Sequence, residues 1–191
     1  MYTVKDCECK LFLYHRNSEC ISPCCPFIEE RIAAGCAAPE ETLREVLSQI
    51  SDARFRLRVG EYMTYEDFPM VFKNDRHEAS FRKAIKNTAA DNYDLTATVY
   101  LPTADRKLWN AARNYITKDN IRISKIKKHQ MDENAHTLLC AAKDLYLGTE
   151  YLTIRDMADK IIVPDKIFGI ICNAMAIHRF GLGVIKSMGG M

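Results

Sequence analysis

Nothing in the 191-residue chain approaches the run of about 20 apolar residues that crosses a bilayer, so no membrane-spanning helix is expected. The start, Met1 to Cys7, lacks the basic and apolar regions of a secretory signal, which places the expected compartment in the cytoplasm. The phosphate-cradling P-loop, G-x-S-x-G, H-E-x-x-H and the dinucleotide fingerprint are all missing. The five histidines (His15, His77, His129, His136 and His178) are scattered, with no nucleophile beside a base. No enzyme is therefore expected. Internal repeats and low-complexity runs are missing too.

What is present is a soluble composition, 48% hydrophobic and 27% charged, enough for one large domain or two small ones. The net charge of +2 is unevenly spread. Residues 1–50 carry −3, residues 51–103 balance, and residues 129–191 carry −1. Residues 104–128 hold eight basic against two acidic side chains, a net +6. Arg122, Lys125, Lys127 and Lys128 crowd its end, interleaved with Ile121, Ile123 and Ile126. That spacing predicts buried isoleucine anchors with projecting cations. A basic arm of this kind contacts phosphate or serves as a charged linker.

Six of the eight cysteines lie within residues 1–36: Cys7, Cys9, Cys20, Cys24, Cys25 and Cys36. So short a segment buries little core, so a crosslink is a plausible stabiliser. Reducing conditions disfavour disulfides and thiolates bind zinc tetrahedrally, so one structural Zn²⁺ is the favoured reading. Disulfides or a redox switch, an iron–sulfur cluster and unligated thiols are the alternatives. Cys140 and Cys172 fall on apolar helical faces and read as small core residues.

Between these features an α+β middle region, 37–128, is expected. Pro39–Ile50 reads as a helix with acidic residues in its first turn. Residues 54–60 alternate basic and apolar, the pattern of a half-buried strand with Arg54, Arg56 and Arg58 toward solvent. Tyr62, Tyr65, Phe68 and Phe72 form an aromatic cluster that reads as core rather than a base-stacking platform. A helix over 77–90, a strand over 93–101 by β-propensity, and a helix from Thr103 or Asp105 to Ile116 complete this part. Trp109, the only tryptophan, could sit at a domain seam.

The last third, 129–191, is the most legible. Asp132 or Asn134 caps a helix that Gly148 ends. Thr153 caps a second helix, 154–160, with Ile154, Met157, Ala158 and Ile161 inward. Pro164 opens a third helix that Gly181 stops, and Leu182–Ser187 reads as a strand turned by Gly189-Gly190. Helix, tight turn, helix and strand is the winged helix-turn-helix order. The stretch Leu152 to Gly190, with its Thr-capped "TIRDMA" and its "GLGVIKSMGG", resembles the winged-helix repressors that include the bacterial iron–sulfur cluster regulator. The resemblance implies the fold; the cysteines that family carries after the third helix are absent.

On that reading the chain is an α+β protein in three parts, 1–36, 37–128 and 129–191, ending in a winged helix with a short wing. Its expected function is DNA-binding regulation. Thr153 and Arg155 would hold phosphates, Lys186 would do so from the wing, and Asp165, Lys166 and Asn173 would face bases. Arg179 and the four cations of 122–128 complete the set. Against this, the third helix is apolar on more than one face, as in a helix that is buried or packs on a partner. The alternative is therefore a small phage-type inhibitor, comparable to anti-CRISPR proteins, that binds a nucleic-acid-processing protein complex. Pairing as a homodimer fits either reading.

Overall fold

The computed structural model describes residues 27–86, 92–128 and 131–187. Among them the chain is helical and forms no sheet; the one β-like feature is an isolated bridge between Ile116 and Ile121. The α+β expectation and its winged helix are thereby overturned. Two helices form the centre: α5 (Tyr93–Thr103) and α9 (Asp165–Phe180), packed on each other. Helix α7 (Glu133–Leu147) packs on both, and α4 (Asp75–Ile85) packs on α5. On α9 lie α1 (Ile28–Ala33), α2 (Pro39–Val46) and α10 (Gly183–Ser187). The remaining helices are α3 (Ala53–Tyr62), α6 (Arg106–Ala112) and α8 (Ile154–Ala158), with α3 against α8. One buried cluster runs from Ile32 to Ile185.

The helix starts follow local chemistry. Asp52, Asn74, Asn92, Asp105 and Asp132 each accept a hydrogen bond from the backbone N–H three residues on, at 2.8–3.1 Å. Each thereby satisfies a donor that the first turn leaves open. Gly148, at φ 65°, closes α7 in the left-handed region, where a Cβ would be strained.

Three expected strands are helices, each for its own reason. In residues 54–60 the alternation of Phe55, Leu57 and Val59 fits a strand, but Phe55, Arg58, Val59 and Tyr62 also recur at helical spacing. That helical set is the buried one in α3, so Arg58 goes in and Leu57 stays 66% exposed. Residues 93–101 are apolar on every side, and periodicity cannot separate a buried strand from a buried helix. Asn92 supplies the helix start, and the threonines that favour strands return their hydroxyls to the helix backbone: Thr96 to the Asn92 carbonyl at 2.8 Å, Thr103 to that of Tyr100 at 2.7 Å. Finally, Gly183–Ser187 forms α10 where the wing strand was expected. A Cβ at Gly183 would overlap the Ala33 carbonyl, so glycine allows α10 to seat on α1.

The α3 finding gives a direct check. Leu57→Lys is expected to change stability by no more than about 0.5 kcal/mol in urea unfolding, as for an exposed surface site. A core-facing strand leucine would lose several times that.

Candidate nucleic-acid interface

The basic segment follows α6. A 3₁₀ turn, Arg113–Tyr115, leads into a tight loop in which Thr117 N–H donates to the Asn120 carbonyl at 2.8 Å. Arg122 N–H then donates back to the Tyr115 carbonyl at 2.9 Å, and a second 3₁₀ turn spans Ile123–Lys125. Ile121, Ile123 and Ile126 are buried in the main core, while Arg122, Lys125, Lys127 and Lys128 stand in solvent. Irregular backbone is thus pinned at every second or third residue, and the cations project from it. None of the four forms an ion pair with a described residue. Six net charges in 25 residues make this the most basic segment of the chain, and a concentration of one sign attracts polyanions.

Three of the other expected DNA contacts, Asn173, Arg179 and Thr153, are engaged within the fold. Asn173 is buried, and its amide donates to the Met70 carbonyl at 2.7 Å and the Tyr100 hydroxyl at 3.3 Å. It bridges α9 to the loop before α4 and cannot reach a base. Helix α9 is sealed along nearly its whole length, from Ile167 to Phe180, so it is the core of the fold rather than a reading helix. Arg179 is held by Glu29 at 2.7 Å, Glu45 at 3.3 Å and the Glu45 carbonyl at 2.9 Å. The Thr153 hydroxyl caps α8, accepting from Asp156 N–H at 3.1 Å and donating to the Asp156 carboxylate at 2.7 Å. Those bonds from Thr153 hold the Asp156 carboxyl below its usual range. Arg155, Lys166 and Lys186 are exposed but belong to α8, α9 and α10, not to the basic segment.

Sequence reasoning missed Arg58. It is 2% exposed, with its guanidinium 4.3 Å above the Phe168 ring. Nη1 donates to the Met157 and Asp159 carbonyls at 2.6 and 3.1 Å; Nη2 donates to the Val163 carbonyl and to Asp165 at 3.2 Å. The Met157 and Val163 carbonyls are ones that the end of α8 and the following loop leave open, while the Asp159 carbonyl also accepts from Val163 N–H at 2.9 Å. The planar fork of arginine meets several acceptors at once, which lysine cannot do. Alongside, Lys160 binds Glu61 at 2.8 Å and the Tyr65 hydroxyl at 3.0 Å, and Tyr65 donates to Asp165 at 3.0 Å. The α8–α9 loop is therefore fixed from below. The one available signal was the helical recurrence of Phe55, Arg58, Val59 and Tyr62.

That loop carries a further correction. Ile161, expected to face inward, is 90% exposed and Ile162 47%. They border an open groove of about 530 Å³ with Lys128, Met131, Asp132, Glu133, His136 and Thr137. His136 is pushed below its ordinary pKa by desolvation and then by Lys128 and Lys143. The Cys140 thiol, 3.8 Å from the His136 ring, is pushed up, first by burial; both shifts oppose a thiolate–imidazolium pair.

Of the six expected metal ligands, Cys7, Cys9, Cys20, Cys24 and Cys25 lie outside the described residues. Cys36 is half-buried, its thiol 3.7 Å from the Ala34 carbonyl. Among the described residues no group of three His, Cys, Asp or Glu is placed to hold a metal ion, and no helix is long and apolar enough to cross a membrane. Comparison with protein-family models, curated proteins and solved structures finds no match. The likeness to winged-helix repressors thus rests on the sequence motif alone.

Proposed function

We propose that the protein binds nucleic acid through the phosphate backbone, using Arg122, Lys125, Lys127 and Lys128, and does so without reading bases. The observation that carries this is the anchored basic segment: buried isoleucines fix the backbone, and cations with no ion pair to a described residue project from it. Phosphate contacts of this kind position a protein and supply sequence-independent affinity. The burial of α9 and Asn173 removes the base-reading helix that sequence-specific regulation needs. A regulatory role would then follow from occupancy or from a partner brought to the nucleic acid.

The test is duplex binding by fluorescence anisotropy with two unrelated sequences. Affinities should agree within about threefold, because backbone contacts carry no sequence information. Replacing the four cations with alanine should lower affinity at least about 100-fold at low salt. No detectable duplex binding at about 50 mM salt would instead assign the segment to an acidic face of a nucleic-acid-processing protein.

A further inference from the structure

The face bordered by Ile161 and Ile162 combines an exposed apolar side chain, an open groove and charges of both signs. A β-branched side chain stands almost wholly in solvent, although large exposed apolar groups mark interaction sites when they cluster. Ile162 lies beside it, and Met131 is half-buried across the groove. The loop is not a loose tip: Arg58, Lys160 and the Asp159 carboxylate, which takes the Ile161 N–H at 2.8 Å, all hold it. A side chain presented this rigidly loses little freedom when it docks.

The charges in the groove say what docks there. Lys128 lines it beside Asp132 and Glu133. Lys128 and Glu133 are exposed, and neither forms an ion pair with a described residue. A surface built for a polyanion would not carry two carboxylates, and one built for a basic partner would not carry the lysine. A patch with a knob (Ile161), an adjoining hollow and both charge signs is complementary to itself. In a two-fold interface, residue i of one copy meets residue j of the other and the reverse.

We propose that this face binds a second copy of the chain. Across the two-fold axis each Ile161 enters the other copy's groove, and Lys128 of each copy faces Glu133 of the other. The inference deepens the nucleic-acid reading, on which its functional use rests: pairing takes up Lys128 at the seam, leaves Arg122, Lys125 and Lys127 of each copy for phosphate, and brings two basic segments onto one assembly, which makes binding bivalent. The pairing itself needs no nucleic acid and is measured without it.

The experiment is sedimentation velocity of the full chain, free of nucleic acid, over a concentration series. Wild type should sediment as a dimer at about 100 µM, and Ile161→Asp should raise the dissociation constant at least about 30-fold, as for a central apolar anchor. Lys128→Glu and Glu133→Lys should each weaken pairing at least about tenfold, because each sets like charges opposite one another twice. Mixing these two variants should restore a heterodimer to within about threefold of wild type, since both contacts then pair opposite charges. A folding defect cannot produce that rescue, so the mixture decides even if one variant is less stable. Wild type that stays monomeric, Ile161→Asp that dimerises as wild type does, or a mixture that recovers nothing would each overturn the proposal. Duplex binding that persists in such a monomer would leave the nucleic-acid reading standing alone.

Discussion

Arg58→Met is expected to lower the unfolding free energy by about 3 kcal/mol, the range for removing one partner of a buried charged network. Methionine keeps the aliphatic stem and much of the contact with Phe168 but removes all four donated hydrogen bonds. The Met157 carbonyl then loses its buried partner, the Val163 carbonyl does too, and Asp165 keeps only Tyr65. Arg58 Nε already has no partner among the described residues, so the net effect should sit at the lower end of the range. For a chain this size the midpoint should fall by about 6–12 °C. Arg58→Lys should recover less than half, because a single ammonium cannot span acceptors fixed for a planar fork. Urea unfolding reads both. A change below about 0.5 kcal/mol, as for a solvated arginine, would mean that Arg58 does not hold the α8–α9 loop.

The second large effect is acid sensitivity set by His77. Its ring is fully buried between Phe72 and Tyr100. Nδ1 accepts from Lys73 N–H at 3.1 Å, which leaves Nε2 to carry the proton and donate to the Tyr100 carbonyl at 3.0 Å. Both ring nitrogens are therefore satisfied only by the neutral imidazole. Burial, reinforced by Lys73 and Arg76, pulls the pKa from 6.5 down to about 4. The folded value lies below the unfolded one, so the stability is complete above the unfolded pKa and is lost as pH falls toward the folded pKa. Between pH 7.5 and 5 the loss from this group should be about 2 kcal/mol, reaching about 3 kcal/mol below pH 4. His77→Gln, which does not titrate, should flatten the profile of unfolding free energy between about pH 7 and 5. A wild-type profile already flat over that interval would contradict the buried neutral ring.

These two residues also show where the chain could and could not be read. Asp132, Gly148, Thr153 and Asp105 mark helix ends by local chemistry alone, and each does so in the structure. Ile121, Ile123 and Ile126 alternate with cations in a pattern that fixes which side chains are buried, whatever the backbone does. Arg58 was hidden because seven residues satisfy both the strand and the helix period. The choice between them was made by distant carbonyls on the α8–α9 loop, about 100 residues along the chain. Tyr93–Thr103 was hidden because a segment buried on all sides has no polar face to reveal its period. Its one local sign was Asn92, whose side chain caps the helix. A second helix extended to Lys160 would turn Ile161 inward, yet α8 ends at Ala158 and the loop turns the side chain out. Leu182–Ser187 carries the residues of a strand but has no partner strand to pair with among the described residues. It folds onto α1 through Gly183 instead.

The most direct measurement is the salt dependence of duplex affinity for wild type and for the variant with alanine at Arg122, Lys125, Lys127 and Lys128. Each phosphate contact contributes about 0.9 to the slope of log affinity against log salt. In the paired protein Lys128 faces Glu133, so the four substitutions should reduce the slope by about 3 per bound chain, the share of Arg122, Lys125 and Lys127, and remove most of the low-salt affinity. A variant that keeps the wild-type slope would place the phosphate contacts elsewhere on the molecule and contradict the assignment of the basic segment.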